Sequence, residues 1–386
     1  MRVCYFSEAY YAGHGGRTHA REFFGALERH PAVSTAAVVP LDVAPKREGT
    51  AIAGLRLPYH WRLFASFWLR GTKYYPRLRA YLQRRAFDWL ILRATAYSTL
   101  MLSLLQRDFP TLRLALEVNA SLFVEELHAI PLRRAFRRFE AMQFNRAERV
   151  ICVSQALSEM LCEVGLDRRR LLVCHNGVNP EQFFPDPAAR AALRGALGFG
   201  DDRIVLGYLG GMERFRDLPL LVDAVADMRA AGARHLALIF AGDGDDGPAV
   251  RARIDARRAD LEGAVAFLGW LPYERGRATV AAFDIALFPF SQQYGSPQKL
   301  FEYLAAGKAV IGPDVAAVRE VFRDGEQMLL VRDVGQLKLA IARLAADPGL
   351  RQRLGERGRA DVLTRHTWSA VAERIVSSLA EDRCAS

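Results

Sequence analysis

No stretch of this 386-residue sequence is long and apolar enough to cross a bilayer. A spanning helix needs about 20 predominantly apolar residues, and no window of about 18 meets that condition. Cysteine is sparse and shows no pairing pattern. Cys4, Cys152, Cys162, Cys174 and Cys384 include no C-x-x-C spacing. That excludes a zinc ribbon and a redox dithiol, and predicts reduced thiols in a cytosolic protein. The opening apolar run, RVCYF, is too short for a secretory leader and passes straight into polar sequence, so no signal peptide is predicted. Low complexity is absent too. With 51% hydrophobic and 25% charged residues, the composition is globular rather than disordered or collagen-like. Acids are almost missing from one region. Residues 51–116 hold eleven Lys/Arg against two acids, Asp88 and Asp108, and so carry nearly all of the net charge of +10. A charge excess this local predicts a positive field on one face.

What is present is a pattern that occurs twice. The strand-like MRVCYFS is followed by the turn Ala12-Gly13-His14-Gly15-Gly16. Thr18 to His30 then places Ala20, Phe23, Phe24 and Leu27 on one helical face. The strand candidates TAAVVPL, DWLILRA, LRLALEV, RVICVS and LLVCHNG follow, separated by helical stretches. The second half restarts the same way, with the strand Arg203–Leu209, the turn Gly210-Gly211 and the helix Leu218–Ala230. LALIFAG, VAFLGW, FDIALFPF, a helix through KLFEYLAAG and the strand AVIGP come next. The length exceeds one ordinary domain of roughly 100–200 residues. The fold class predicted is therefore α/β, with two Rossmann-like domains facing each other across a cleft. One large α/β barrel is the alternative. The expected division is 1–185, 186–365, and a last helix within 366–386 that packs back on the first domain.

Several short motifs invite chemical readings. Gly242-Asp243-Gly244-Asp245-Asp246-Gly247 fits G-x-G-x-x-G after a strand. Three carboxylates beside a pyrophosphate would repel it, however, and Pro248 stands where the helix should begin. Asp243 and Asp245 could instead hold a divalent metal bridging a nucleotide diphosphate. Gly15-Gly16 before Arg17 is a helix entry where a ligand can approach the backbone. The most specific stretch runs from Tyr294 to Val310. Ser296 is a good N-cap and Pro297 suits the first helical position. Free N–H groups in the first turn suit a phosphate, and Glu302, one turn inside, suits a ribose diol. The helix should stop at Gly307.

This last segment resembles the sugar-donor motif of the family 4 retaining glycosyltransferases, which have the GT-B fold. The likeness extends along nearly the whole chain and is weakest over 40–110. Val150–Ser154 followed by LLVCHNGV (171–178), and then Phe184-Pro185, resemble one family region. Leu206–Leu221 resembles the opening of the family's sugar-donor domain. Phe267-Leu268-Gly269, Phe283-Asp284, Phe288-Pro289, Val318-Arg319-Glu320-Val321 and Asp324-Gly325 resemble further family turns.

The resemblance implies a metal-independent transferase with no bound cofactor. It would move a sugar, with retention, from a nucleotide-diphosphate sugar to a glycan or lipid-linked acceptor, in cell-surface polysaccharide or lipopolysaccharide synthesis. It implies that Gly15 and Gly16 face the diphosphate and acceptor, that Gly210 lies in the second domain's turn, and that Arg216 clamps the diphosphate where the family usually has Lys. Gly295, Ser296, Pro297, Gln298 and Lys299 would form the phosphate-binding helix start. Glu302 would bind the ribose, and Trp270 would lie by the base. Three positions depart from the pattern. Tyr294 stands in place of the motif's first glutamate, which bears on the sugar and on activity. Gly211 replaces the family's arginine, with Arg214 as substitute. Asn119, in Glu117-Val118-Asn119, stands where many members have a histidine, with His14 and His19 as other candidates. These departures support one rival, an inactive protein of the same fold that only binds nucleotide or glycan. A metal-dependent transferase using Asp243 and Asp245 is the other.

The basic segment 56–87 contains Arg56, Arg62, Arg70, Lys73, Arg77, Arg79, Arg84 and Arg85 among Trp61, Phe64, Phe67, Trp68, Tyr74, Tyr75, Tyr81 and Phe87, with no acid. Such a mixture suits an anionic membrane surface, and so a cytoplasmic protein that is peripheral on the inner face. A solvated basic face over core aromatics, or a site for an acidic glycan, would give the same composition. No nucleic-acid reader motif is present, so nucleic acid is not an expected partner.

Overall fold

Apolar runs covered on both faces build two parallel sheets. The computed structural model describes residues 1–11, 16–41, 59–120 and 133–381. One unit comprises Met1–His175, Tyr294–Ser296 and Ser369–Ser386; the other comprises Asn176–Gln293 and Pro297–Trp368.

The first unit contains β1 (Arg2–Phe6), β2 (Thr35–Val38), β3 (Trp89–Arg93), β4 (Arg113–Val118), β5 (Arg149–Cys152) and β6 (Leu171–Val173). They pair in parallel in the order β2-β1-β3-β4-β5-β6. Val3, Cys4, Tyr5 and Phe6 are buried throughout, as are Trp89 to Leu92 and Leu114 to Val118. The helix Gly16–Glu28 covers the sheet with Ala20, Phe23, Phe24 and Leu27, the face anticipated from the spacing.

The basic–aromatic segment forms much of a single helix, Tyr59–Gln83, with Pro76 inside it. Several of its members turn inward rather than to solvent. The Tyr74 hydroxyl donates to Glu8 and the Tyr75 hydroxyl to Asp108. Arg70 pairs with Glu8, and Arg79 with Asp108. Tyr81 stacks on Phe87 at 6.1 Å. Arg77, Arg84 and Arg85 are exposed and pair with no carboxylate among the described residues. Arg56 and the side chains of Trp61, Arg62, Phe64, Phe67 and Trp68 lie outside the described residues.

The second unit contains β7 (Ile204–Leu209), β8 (Leu236–Ala241), β9 (Val265–Phe267), β10 (Ile285–Leu287), β11 (Ala309–Pro313) and β12 (Leu329–Val331). Their order is β12-β11-β10-β7-β8-β9, again all parallel. Strand order reverses between β7 and β10 here, and between β1 and β3 in the first unit. In open α/β sheets, ligands bind outside the strand carboxyl ends at such switch points.

The chain leaves the first unit after His175, touches it again at Tyr294–Ser296 and re-enters it at Ser369. The outgoing and returning segments are paired inside the second unit. The Val178 N–H donates to His366 O at 2.9 Å, and the Trp368 N–H donates to Val178 O at 3.1 Å. The last helix, Trp368–Glu381, then bonds to first-unit residues. Arg374 donates to Val173 O at 2.8 Å, Arg149 to Ser378 Oγ at 3.1 Å, and His30 Nε2 lies 2.9 Å from Glu373.

Candidate active site

In the second unit, three loops meet at the strand ends. Gly242 follows β8 with φ +126°, and a Cβ there would lie 1.9 Å from Gly210 O. Only glycine permits so close an approach of the two turns. Backbone bonds fix the arrangement: Gly210 N–H to Ala241 O, Gly242 N–H to Gly269 O, Met212 N–H to Asp243 O, and Asp246 N–H to Met212 O. Asp243 Oδ1 accepts from the Gly244 N–H. The Gly242–Gly247 loop thus serves as a buttress for the Gly210–Met212 turn. Among the described residues, no group of three or more His, Cys, Asp and Glu is placed to hold a metal ion.

The helix Gln298–Ala305 is tied to the end of β7 by one hydroxyl. Tyr303 Oη donates to Leu209 O at 2.9 Å and accepts from Leu209 N at 2.7 Å. The helix begins at Gln298, flanked by Pro297, with no side-chain cap bond. The expected Ser296 cap with Pro297 inside the helix is therefore corrected. Pro297 has ψ 107°, which is extended rather than helical. The helix ends as expected, where Gly307 takes φ +69°.

Glu302 is fully buried on this helix. Lys299 Nζ donates to its Oε2 at 2.6 Å, and Gln298 Nε2 to its Oε1 at 2.9 Å. Burial pushes its carboxyl above the ordinary value, and these two neighbours only partly offset that. Lys299 also passes beside Gly210, since a Cβ on that glycine would lie 3.7 Å from Lys299 Cγ.

Arg216 reaches across the switch point. Its guanidinium lies 4.4 Å from the ring centroid of Phe288, just past β10, and its Nε donates to Glu213 at 2.5 Å. Its Nη1 is buried and has no hydrogen-bond partner among the described residues. Gly210, Arg216, Lys299, Gln298 and Glu302 thus gather around the carboxyl ends of β7 and β10. Arg214 is exposed, and Trp270 is 63% exposed on the turn after β9. Neither bonds into this group.

Tyr294, Gly295 and Ser296 belong with the first unit. Tyr294 is buried in that unit's apolar core, and its carbonyl accepts from Ser154 Oγ at 2.6 Å. Its side chain is taken up by packing, which sets it apart from the glutamate that the motif would place there.

The first unit holds a polar cluster that the sequence reading missed. Glu117, at the end of β4, is 2% exposed. Its Oε2 accepts from Tyr5 Oη at 2.5 Å. Its Oε1 accepts from Arg93 Nη1 at 2.7 Å and from Asn119 Nδ2 at 2.6 Å, and lies 3.2 Å from His19 Nδ1. Burial alone would raise this carboxyl. Arg93 and His19, with hydrogen bonds from Tyr5 and Asn119, outweigh it and hold Glu117 below the ordinary value. The signal was legible, because Glu117 is a charged residue inside the apolar run LRLALEV. His19 is buried in this cluster, against Phe23. Gly16 opens the helix that carries His19. Gly15 and His14 lie outside the described residues.

Two family descriptions match the chain. Residues 14–182 match Glycosyltransferase Family 4, and residues 203–347 match Glycosyl transferases group 1. The chain belongs to the family 4 glycosyltransferases. A D-inositol 3-phosphate glycosyltransferase of Stackebrandtia nassauensis is 29% identical over 249 residues, covering 60% of this chain and 55% of that protein. This chain spans about half the length of the curated relatives it matches. Among solved structures, Anabaena HepE in complex with UDP-glucose aligns with a TM-score of 0.74 at 16% identity, covering 99% of this chain and 100% of that one. A lipopolysaccharide outer core galactosyltransferase, WaaB, aligns with a TM-score of 0.67 at 14% identity, covering 99% and 100%. At these identities the structural likeness shows the fold alone, GT-B.

Proposed function

We propose that this chain transfers a sugar, with retention and without a metal, from a nucleotide-diphosphate sugar to a glycan or lipid-linked acceptor. The observation that carries the reading is Arg216 Nη1 at the switch point of the second sheet, a buried donor that has no hydrogen-bond partner among the described residues, on a guanidinium otherwise paired with Glu213. Leaving such a group unpaired is costly, and a diphosphate oxygen satisfies it. Arg216, Lys299 and the N–H groups at the start of the Gln298–Ala305 helix stabilise the departing diphosphate as its charge develops, which is electrostatic preorganisation. Glu302 accepts from the ribose hydroxyls. Trp270 lies by the base, and Arg214 and Gly210 complete the sugar-donor side. Ser296, Pro297 and Gly295 lead the chain into that helix. On the first unit, Asn119 and Gly16 serve the acceptor side.

The acceptor class is read from charge. Arg77, Arg84 and Arg85 line an open groove of about 480 Å³ with Tyr81, Val39 and Pro40. Three guanidinium groups without a carboxylate partner among the described residues suit an anionic partner, in keeping with an inner-face, peripheral enzyme of polysaccharide or lipopolysaccharide synthesis. A binding-only protein is the second reading, favoured by the burial of Tyr294 where the family motif has a glutamate.

A thermal-shift panel with UDP, GDP, ADP, CMP and their sugars, without metal, tests this on wild type and Glu302→Ala. Ligand at 100 times its Kd stabilises the fold by about 2.7 kcal/mol. A shift with one nucleotide that vanishes in the variant supports the sugar-donor site. No shift with any at millimolar ligand sinks it. Turnover of the sugar that binds then separates the enzyme from the binding-only protein.

A further inference from the structure

Asn119 follows β4 at the carboxyl end of the first sheet, in contact with the cluster beside the β1/β3 switch point. Its amide has a donating end, Nδ2, and an accepting end, Oδ1. The end that faces outward depends on its partner. That partner is Glu117, whose Oε1 lies 2.6 Å from Nδ2.

An ionised carboxylate only accepts hydrogen bonds, so it takes the NH₂ end and turns Oδ1 away from itself. Glu117 is itself immobile. Tyr5 from β1 donates to one oxygen and Arg93 from β3 to the other, and Arg93 Nη1 also lies 2.7 Å from His19 Nδ1 on the Gly16–Glu28 helix. Neighbouring strands on one side and a helix therefore hold the carboxylate against one amide. Asn119 is half-exposed, and among the described residues Glu117 is the one partner of its side chain. Asn119 Oδ1 is thus a pre-aimed acceptor at the mouth of the first unit's sheet.

We propose that Glu117 is a positioning residue that locks the Asn119 amide so that Oδ1 accepts a hydrogen bond from the hydroxyl of the attacking acceptor. The group recognised is a sugar or polyol hydroxyl, which donates to Oδ1 and so has its oxygen lone pairs oriented. This inference rests on the reading of Asn119 as a residue of the transfer site.

The test uses the full chain labelled with ¹⁵N-asparagine. Only Asn119, Asn145, Asn176 and Asn179 occur, so four side-chain amide signals result, and Asn119→Ala assigns the one of interest. Turnover is measured with the nucleotide sugar that stabilises the protein in the thermal panel. In Glu117→Gln the new side chain presents either a donor or an acceptor. The Asn119 signal should shift, and kcat should fall roughly tenfold or more with the KM for the nucleotide sugar unchanged, as expected when a reacting group is misplaced. Asn119→Asp provides a second variant at a half-exposed position that does not depend on replacing a buried charge. Its carboxylate cannot donate to Glu117, so the same fall in kcat is expected. An unmoved Asn119 signal in Glu117→Gln, or wild-type kcat in Asn119→Asp, overturns the lock. Undiminished kcat in Asn119→Ala overturns the reading of Asn119 on which the lock rests. Lost kcat in Asn119→Ala with an unmoved signal in Glu117→Gln overturns the lock alone.

Discussion

Lys299 and Glu302 stand one helical turn apart and hold each other at 2.6 Å, the lysine partly exposed and the glutamate fully buried. Glu302 has no arginine beside it, whereas Glu117 has Arg93. Two carboxylates of equal burial therefore shift in opposite directions, Glu302 upward and Glu117 downward. The first is costly to ionise and the second is stabilised by ionising.

This fixes the sign of a pH experiment. A carboxyl raised in the folded state binds its proton more tightly there than in the unfolded chain. Its contribution to stability is present at low pH and is lost as pH rises through the folded value. Glu302→Gln has no such loss. Thermal melts from pH 4 to 8 should show the variant gaining on wild type as pH rises. A constant difference would mean that Glu302 is not raised. Its affinity for the nucleotide should nonetheless fall, because an amide cannot replace both ribose contacts.

Tyr303→Phe removes the hydroxyl that satisfies both Leu209 N–H and Leu209 O. Two buried backbone groups lose a partner, at a cost of about 1–3 kcal/mol each. Urea unfolding should show a lower midpoint with an unchanged slope. The nucleotide-induced thermal shift should shrink as well, since the hydroxyl ties the Gln298–Ala305 helix to β7.

Gly242→Ala places a methyl group on Gly210 O and forces a side chain to φ +126°. Gly165→Ala is the matched control, with φ +109° and nothing within 4 Å of its Cβ. Both substitutions incur backbone strain of about 1–3 kcal/mol, and only Gly242→Ala adds a clash of comparable size. Equal midpoints for the two variants would show that the β7 and β8 turns separate easily.

Lys308 is half-buried, and its Nζ donates to Ala281 O and Phe283 O. Burial, with Arg190 and Arg194 nearby, pushes it down to about 8 from 10.5, against the pull of Asp284. Between these values the unfolded chain binds the proton more than the folded one does, so this residue adds stability as pH rises from about 8 to 10.5. Comparing wild type with Lys308→Met across that window should show wild type gaining. A parallel pair of curves would contradict the depressed value.

Much of this was legible from local pattern. Every strand from β1 to β11 coincides with an apolar run, because strands buried on both faces have no polar alternation to obscure them. The Leu329–Val331 strand is not among the expected strands, although its apolar run Met328–Val331 is like those of the equally short β6 and β9. The Tyr59–Gln83 helix also carried no element of its own in the sequence reading, since Pro76 interrupts its middle. At the site, Arg216, Lys299 and Glu302 were found by spacing within one segment or by likeness to a motif. The Glu117 cluster draws Tyr5, His19 and Arg93 from three separate elements to the end of β4, and sequence proximity says nothing about such a meeting.

The passage of the chain from one unit to the other and back has a consequence for synthesis. The second unit is an insertion within the first. The helix Trp368–Glu381, with its bonds to Val173, Arg149 and His30, emerges from the ribosome only after β12 and everything before it. A nascent chain halted at Trp368 therefore carries every segment of the second unit, while β6 of the first still lacks a helix that bonds to it. The first unit is therefore completed only after every segment of the second has been made, so its last helix docks on a sheet whose strands were synthesised long before it.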